Sequence, residues 1–519
     1  MTFFNNPQLV QAAKNPPDLK KLLTPARIAS FYAEAVGLKL SYATERVDEE
    51  ILDALYKLAN DRKVLSQMKA MQAGERVNLI HGCESENRPA LHTAMRDLFD
   101  QGKRPPIAQA AIDLAKKEIE KLKAFLPEVE KFTDIVQIGI GGSSLGPEAI
   151  YLGLEAYALN GRRAHFISNV DPDETTKVLS RLDLSKTLII VVSKSGSTLE
   201  TVTNEALAKD HLKKAGLSPK DHLIAVTGKG SPMDDPSKYR ASFYIWDYIG
   251  GRYSVTSMVG GVLLAFAFGI ETYLEFLKGA HEMDQAALED QEEDQEEKNL
   301  PLLGALLGIW NRNFLNHPTV AVIPYSQALA RFPAHLQQLD MESNGKHINK
   351  EGKIVDYKTG PIIWGEPGTN GQHSFFQSIH QGTTVVPLEI IGFKTSQYGE
   401  DLMVQGTYSQ EKLLSNLFAQ ALALAQGQDN SNPNKVFTGN RPSSILFAEK
   451  LDPFTMGKIL AYYEHKVAFQ GFIWNINSFD QEGVQLGKKL ATEMIKAFEE
   501  SRAGNVPAYK LGEAYLKLF

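Results

Sequence analysis

The sequence predicts an α/β protein with two domains, each built on a central, mostly parallel sheet. Three observations carry that prediction. The chain has 519 residues, well past the ~250–300 at which a single core stops growing. Its composition, 43% hydrophobic and 23% charged, holds enough apolar residues to offset the entropy lost on ordering. Short apolar runs recur along it, each followed by helix-like or loop sequence, which is the pattern of βαβ units.

In chain order, Ile51 to Phe99 has a mostly helical pattern with a turn-like interruption at "HGCESENRPALH". A charged helix follows from Ile107 to Phe125 and breaks at Pro127. "DIVQIGI" (Asp134 to Ile140) is a buried strand, and "AHFIS" (Ala164 to Ser168), "TLIIVVS" (Thr187 to Ser193) and "HLIAVTG" (His222 to Gly228) repeat the pattern. Between Arg252 and Glu271 runs the uncharged "YSVTSMVGGVLLAFAFGI". It just reaches the length of a membrane span. Its Gly, Ser and Thr content, and its isolation in a soluble sequence, make it a buried helix instead. The acidic run Glu282 to Pro301 is expected to be a solvated helix face or loop. "PTVAVIPY" (Pro318 to Tyr325) and "TTVVPLEIIGF" (Thr383 to Phe393) are strands of a second domain. The end, "SRAGNVPAYKLGEAYLKLF", is a linker and a terminal helix. The expected division is a helical segment at 1–104 packing on the second domain, a first α/β domain at 105–272, a second at 273–495, and a helical arm at 496–519.

The net charge of −7 argues against a nucleic-acid partner, which requires a basic face. A small anion remains open, because a few donors can hold one phosphate. Cys83 is the single cysteine, so no intrachain disulfide and no metal spacing built on cysteine pairs exists. The first residues lack a basic stretch followed by an apolar one. The chain is expected to be soluble and cytoplasmic, with no membrane partner.

Two loops carry the chemistry. "IGIGGSSLGPEA" (Ile138 to Ala149) is a glycine-rich turn after a buried strand, with Pro147 placed to open a helix. Glycines admit an anion close to the backbone, and a helix N-terminus offers free N–H groups. Gly139 and Gly141 fit the first two glycines of a dinucleotide fingerprint, Ser144 stands at the third, and Asp171 comes late for the acidic partner. A P-loop is excluded, and a plain strand–helix turn stays open. "SKSGSTLET" (Ser193 to Thr201) also follows a strand and opens a helix. Ser193, Ser195, Ser197 and Thr198 offer more hydroxyls than one N-cap uses. Two such loops at neighbouring strand ends form a phosphate cradle.

Four further stretches stand apart from core sequence. "GGRYSVTS" carries Arg252, whose plain reading is a surface arginine. "QQLDMESNGK" offers Glu342, whose plain reading is a helix end at Asn344-Gly345. "WGEPGTNGQHSFFQSIHQGT" delivers His373 and His380 from a glycine-laden loop. "SFDQEGVQLGKKL" sets Gln481 and Lys488 seven apart, on one face if both lie on a helix.

These stretches, with "ENRPALHTAMR" (Glu86 to Arg96), appear in the order found in phosphoglucose isomerases, and the chain resembles that family over essentially its whole length. The resemblance implies two sugar-isomerase-type α/β/α sandwich domains. It implies reversible isomerisation of glucose 6-phosphate to fructose 6-phosphate in glycolysis and gluconeogenesis, with no metal or organic cofactor. It also implies a homodimer with shared active sites. By the resemblance, Gly142, Ser143, Ser193, Lys194, Ser195 and Thr198 bind the phosphate side of the substrate. Gly251, Gln338 and Gln481 complete its contacts. Glu342 is the base between C1 and C2, and Arg252 faces the enediolate oxygens. His373, supplied by the partner subunit, works with Lys488 in ring opening, and Glu200 orients that histidine. Gly196, Leu199 and Glu482 depart from the family pattern, which bears on substrate preference.

Those roles make physical sense. Moving a proton between adjacent carbons requires one base that takes it and returns it. The oxyanion that develops requires a fixed positive charge, and arginine keeps its charge and presents a rigid fork of donors. Ring opening requires a group that changes protonation near neutral pH. Phosphate binding, remote from the reacting carbons, holds the sugar in place. Two other readings use the same cradle: a non-catalytic sugar-phosphate sensor, and an isomerase that also accepts mannose 6-phosphate.

Overall fold

A computed structural model describes residues 6–100, 102–290 and 298–518. Among these residues eleven strands form two sheets: β1 (Tyr32–Ala35), β2 (Leu38–Ser41), β3 (Asp134–Ile138), β4 (Arg163–Ile167), β5 (Thr187–Ser193), β6 (Leu223–Thr227), β7 (Ala241–Tyr244), β8 (Thr319–Pro324), β9 (Ile362–Trp364), β10 (Leu388–Thr395) and β11 (Ser443–Lys450). By internal contacts the chain divides into two units, Met1–Ser478 and Phe479–Phe519, and both sheets belong to the first.

The first sheet, in the order β4-β3-β5-β6-β7, is parallel throughout. Every residue of β3, β5 and β6 is buried. Strands covered on both faces have no solvent side to alternate with, so they read as nearly unbroken apolar runs. The chain steps from β3 out to β4, then crosses back to β5 on the other side. The strand order therefore reverses between β3 and β5, where α/β sheets place their ligands.

The second sheet has the order β1-β2-β11-β10-β8-β9. Strands β8 to β11 are parallel, and the β1–β2 hairpin adds antiparallel to β11. The N-terminal segment has the expected helices, Pro7–Lys14, Leu19–Leu22 and Pro25–Ser30 among them, and this hairpin is an addition to them. It turns at Val36 and Gly37, with φ of 47° and 77°, and its buried Ala33, Ala35, Leu38 and Leu40 alternate with more exposed residues. Helices Glu49–Asp61 and Val64–Ala73 follow, and beyond them the regular element before residue 100 is the short turn His92–Met95. Helical sequence up to Phe99 was thus an over-extension. Strand β10 starts at Leu388, not Thr383, because Pro387 has no N–H for the ladder.

The uncharged stretch forms helix Met258–Phe268, with every residue buried. The acidic run begins inside helix Ile270–Ala286, its residues 291–297 lie outside the described residues, and helix Leu300–Ile309 starts with an Asn299 cap. Arg96 is fully buried and bonds Asp284 at 2.5 and 2.7 Å and Glu464 of helix Pro453–Trp474 at 2.6 Å. Such a triad holds these elements in register. Ions that deep cost several kcal/mol each unless fully bonded. The second unit contains helices Gln485–Arg502 and Lys510–Leu516, the former running across residue 495, where the sequence placed a domain edge.

Candidate active site

The first glycine-rich loop leaves β3 through an extended Ile140, makes the 3-10 turn Gly141–Ser143 and enters helix Leu145–Leu154. Gly141 has φ +59°, and a Cβ there would lie 3.3 Å from Nε2 of Gln338. A Cβ on Gly142 would lie 2.2 Å from the Gly251 carbonyl and 2.8 Å from the Arg252 nitrogen. The backbone of this loop therefore rests directly on Gly251 and Arg252, and only glycine fits between them. Below, Gln137 donates to the Ser143 carbonyl at 2.7 Å and to Val259 at 3.2 Å, tying the loop to its strand.

The second loop leaves the neighbouring strand β5. Ser193 Oγ lies 2.9 Å from Thr198 Oγ1 and accepts from the Gly196 N–H at 3.1 Å, and Ser197 Oγ donates to Ser195 Oγ at 3.2 Å. These hydroxyls bond one another. Thr198 stands at the N-cap of helix Leu199–Lys214 without capping it through its side chain. Helix capping therefore does not explain them. Lys194 Nζ donates to the carbonyls of Asp247 at 3.2 Å and Ile249 at 3.0 Å. Burial, and after it the Arg88 charge, pulls Lys194 down to about 8. The second loop thus bonds the start of segment 247–252 and the first loop presses on its end, so one short segment joins both.

Arg252 is not the surface arginine of the plain reading: its side chain is 1% exposed. Its Nε donates to Ser343 Oγ at 2.6 Å, its Nη2 to the Ser478 carbonyl at 2.6 Å, and its Nη1 lies 3.2 Å from Glu342 Oε2. Glu342 ends the π turn Gln337–Glu342, which continues helix Phe332–Leu336. Turns of this kind are rare and concentrate at functional sites. The Glu342 side chain stays 19% exposed and accepts from Gln338 Nε2 at 3.1 Å. Gly345 bonds back to Met341, so the stretch is a helix end and also carries a solvent-reaching carboxylate. The sequence did not single out Ser343, Tyr253 or Ser478, and it marked Asn344 only as a helix end. They sit in the same motifs as Glu342, Arg252 and Gln481, which was the one available signal.

The remaining candidates are placed differently. His373 ends the 3-10 turn Asn370–His373 and is exposed. The preceding Gln372 is fixed by the Tyr325 hydroxyl at 2.8 Å. Glu200 is half-buried in the first turn of helix Leu199–Lys214, and among the described residues no hydrogen bond or ion pair joins it to His373. Gln481 and Lys488 lie in the second unit. Gln481 precedes the 3-10 turn Glu482–Val484, and Lys488 is exposed on helix Gln485–Arg502. Because that helix starts at Gln485, the spacing of seven does not put the two on one helical face. Among the described residues Asp97, Asp100 and His281 bring possible metal-ligating atoms within 4.8 Å of one another, a group no local spacing reveals. Arg104 already bonds both carboxylates, at 2.5 Å to Asp97 and 2.7 Å to Asp100.

The model of the phosphoglucose isomerase family matches residues 41–508. The chain belongs to the phosphoglucose isomerase family. It is 58% identical over 523 residues to the glucose-6-phosphate isomerase of Protochlamydia amoebophila, covering 99% of this chain and 97% of that protein. The glucose-6-phosphate isomerase of Desulfotalea psychrophila is 54% identical over 502 residues, covering 94% and 93%. The crystal structure of a glucose-6-phosphate isomerase from Chlamydia trachomatis superposes with a TM-score of 0.93 at 51% identity, over 97% of this chain and 98% of that one. A hypothetical protein of Thermus thermophilus reaches a TM-score of 0.67 at 26% identity, over 87% and 99%.

Proposed function

We infer that this chain is an isomerase that interconverts glucose 6-phosphate and fructose 6-phosphate, a step shared by glycolysis and gluconeogenesis. Family membership and full-length relatives of that name support it. The observation that carries the chemistry is the 3.2 Å pairing of Glu342 with a buried Arg252 on whose backbone the first loop rests.

The two loops, through Gly142, Ser143, Ser193, Lys194, Ser195 and Thr198, hold the phosphate at the strand-order reversal. The sugar then extends past Gly251 and Gln338 toward Glu342. Glu342 removes the proton from C2 of the opened aldose and returns it to C1. Arg252, held on three sides, faces the oxygens of the enediolate formed in between. Burial strengthens its field there, and its fixed position avoids reorganisation during the step. His373 and Lys488 open the ring, with Glu200 orienting the histidine and Gln481 completing the contacts. We assign this histidine to a partner subunit, hence a homodimer, as the family resemblance implies; His373 is exposed on its own chain, where a partner's site can reach it. We place the dimer in the cytoplasm.

A coupled assay with each hexose phosphate tests this reading. Glucose 6-phosphate is expected to yield fructose 6-phosphate, and Glu342→Gln to lose about 10²–10⁴ in kcat while still binding substrate. Full turnover in that variant rejects the assigned base. Turnover of mannose 6-phosphate by the wild type would instead assign the broader isomerase.

A further inference from the structure

Arg252 does more than meet Glu342, and what holds it is the rest of the same tripeptide. The guanidinium bonds two successive side chains: Nη1 approaches Glu342 Oε2 at 3.2 Å and Nε donates to Ser343 Oγ at 2.6 Å. The third residue, Asn344, reaches it indirectly. Ser478 Oγ donates to Asn344 Oδ1 at 2.7 Å, and the carbonyl of the same Ser478 accepts Arg252 Nη2 at 2.6 Å. Asn344 is itself anchored, with Nδ2 donating to the Val467 carbonyl at 3.0 Å. Ser343 and Asn344 are fully buried, so neither bond exchanges with water.

Behind Ser343 stands a second support. The hydroxyl of Tyr253 lies 3.1 Å from Ser343 Oγ. Tyr253 is 1% exposed, and its ring stacks on His92 with centroids 4.6 Å apart. His92 is 2% exposed, so the tyrosine is clamped between a buried ring and the serine.

We propose that Ser343 and Tyr253 are positioning residues of the isomerisation: through the Arg252 Nε–H they set where the guanidinium stands relative to the Glu342 carboxylate. The physical case is one of geometry. The Nε–H bond to Ser343 adds a constraint to the contacts at Nη1 and Nη2 and so helps fix where Nη1 stands against the base. Preorganised charge acts only where charge develops, and misplacement by about 1 Å costs about 10²-fold in rate. The side-chain bonds described for both residues run to Arg252 and to each other, so their removal is expected to act on kcat more than on KM. This inference rests on the roles given to Arg252 and Glu342 above.

The test is kinetic. Ser343→Ala is expected to lower kcat about 10- to 100-fold, the range for a bond to a charged group, with KM for fructose 6-phosphate within about twofold. Tyr253→Phe, which deletes one hydroxyl, is expected to lower kcat about 3- to 10-fold with the same unchanged KM. In an Arg252→Lys background, where no Nε–H fork remains, adding Ser343→Ala is expected to cost less than about threefold more. Thermal melts establish that each variant folds. Should Ser343→Ala not fold, Tyr253→Phe decides on the same criteria. An unchanged kcat, a rise in KM that accounts for the whole loss, or an equal loss in the Arg252→Lys background overturns the proposal. If Arg252→Lys and Glu342→Gln are themselves fully active, the catalytic reading fails; if they are impaired and Ser343→Ala is not, only the positioning role fails.

Discussion

Replacing Gly142 by alanine probes the contact on which the site is built. The added Cβ would stand 2.2 Å from the Gly251 carbonyl carbon and oxygen and 2.8 Å from the Arg252 nitrogen. Ordinary contact begins at 3.4 Å, so the two backbones must part by about 1 Å. Neither side yields easily. The first loop is tied to β3 through Gln137, and Arg252 is bonded to Ser343 and Ser478. All the atoms that clash are backbone, so no rotamer change relieves them. Overpacking of this kind costs about 1–3 kcal/mol of stability, which a domain of this size tolerates. The effect on rate is larger. A 1 Å displacement between phosphate cradle and Arg252 is expected to lower kcat/KM about 10²-fold, because the phosphate no longer holds C1 and C2 at Glu342. Initial rates of fructose 6-phosphate conversion in a coupled assay give the number, and a thermal melt confirms that the variant is folded. A folded Gly142→Ala enzyme with wild-type kcat/KM would show that the two loops need not touch at Arg252, and the linked-site argument would fall.

Further outcomes follow from the same geometry. His373→Ala is expected to lose about 10² in kcat on the cyclic sugar and markedly less on an open-chain analogue, and equal losses would remove its role in ring opening. Mixing inactive Glu342→Gln and His373→Ala proteins under subunit exchange is expected to restore about one quarter of wild-type activity, since half the dimers are mixed and each mixed dimer regains one intact site. No recovery would mean that His373 serves its own chain. Glu45 is buried, accepts from Asn311 Nδ2 at 3.0 Å, and is pushed up to about 8 by burial. The folded state then holds a proton that the unfolded chain releases near 4.5, so stability falls as pH rises through that window. Glu45→Gln has no such proton to lose, and its urea midpoint is expected to gain on the wild type from pH 5 to pH 8. A difference that stays constant across that range would refute the assignment.

How much of this was legible without the structure depended on the range of each interaction. Strands buried on both faces, such as "TLIIVVS", announce themselves because every residue obeys the same demand. The hairpin at 32–41 carried a readable alternation around Val36-Gly37 and was missed inside an N-terminal segment expected to be helical. Strand β9 is three residues long and β7 four, too short for any period to register. Within the site, Glu342, Arg252 and the serine loops stood out because glycines and hydroxyls beside an apolar run have no packing purpose. Ser343 and Asn344 did not, since a serine and an asparagine at a helix end are ordinary caps until their partners are seen.

The amino-acid order alone determined the α/β class, strands β3 to β6, β8 and β10, and the two hydroxyl-bearing loops, because each follows from periodicity or from local backbone chemistry. The roles expected of Glu342 and Arg252 came instead from the family resemblance of their motifs. The fold alone decided that Gly142 meets Gly251, that Arg252 is buried against Glu342, and that Ser343 and Ser478 hold it, for these pairs lie from about 90 to more than 220 positions apart along the chain. Contacts across such separations arise when two sheets and their helices pack together, and no stretch of neighbouring residues encodes them singly.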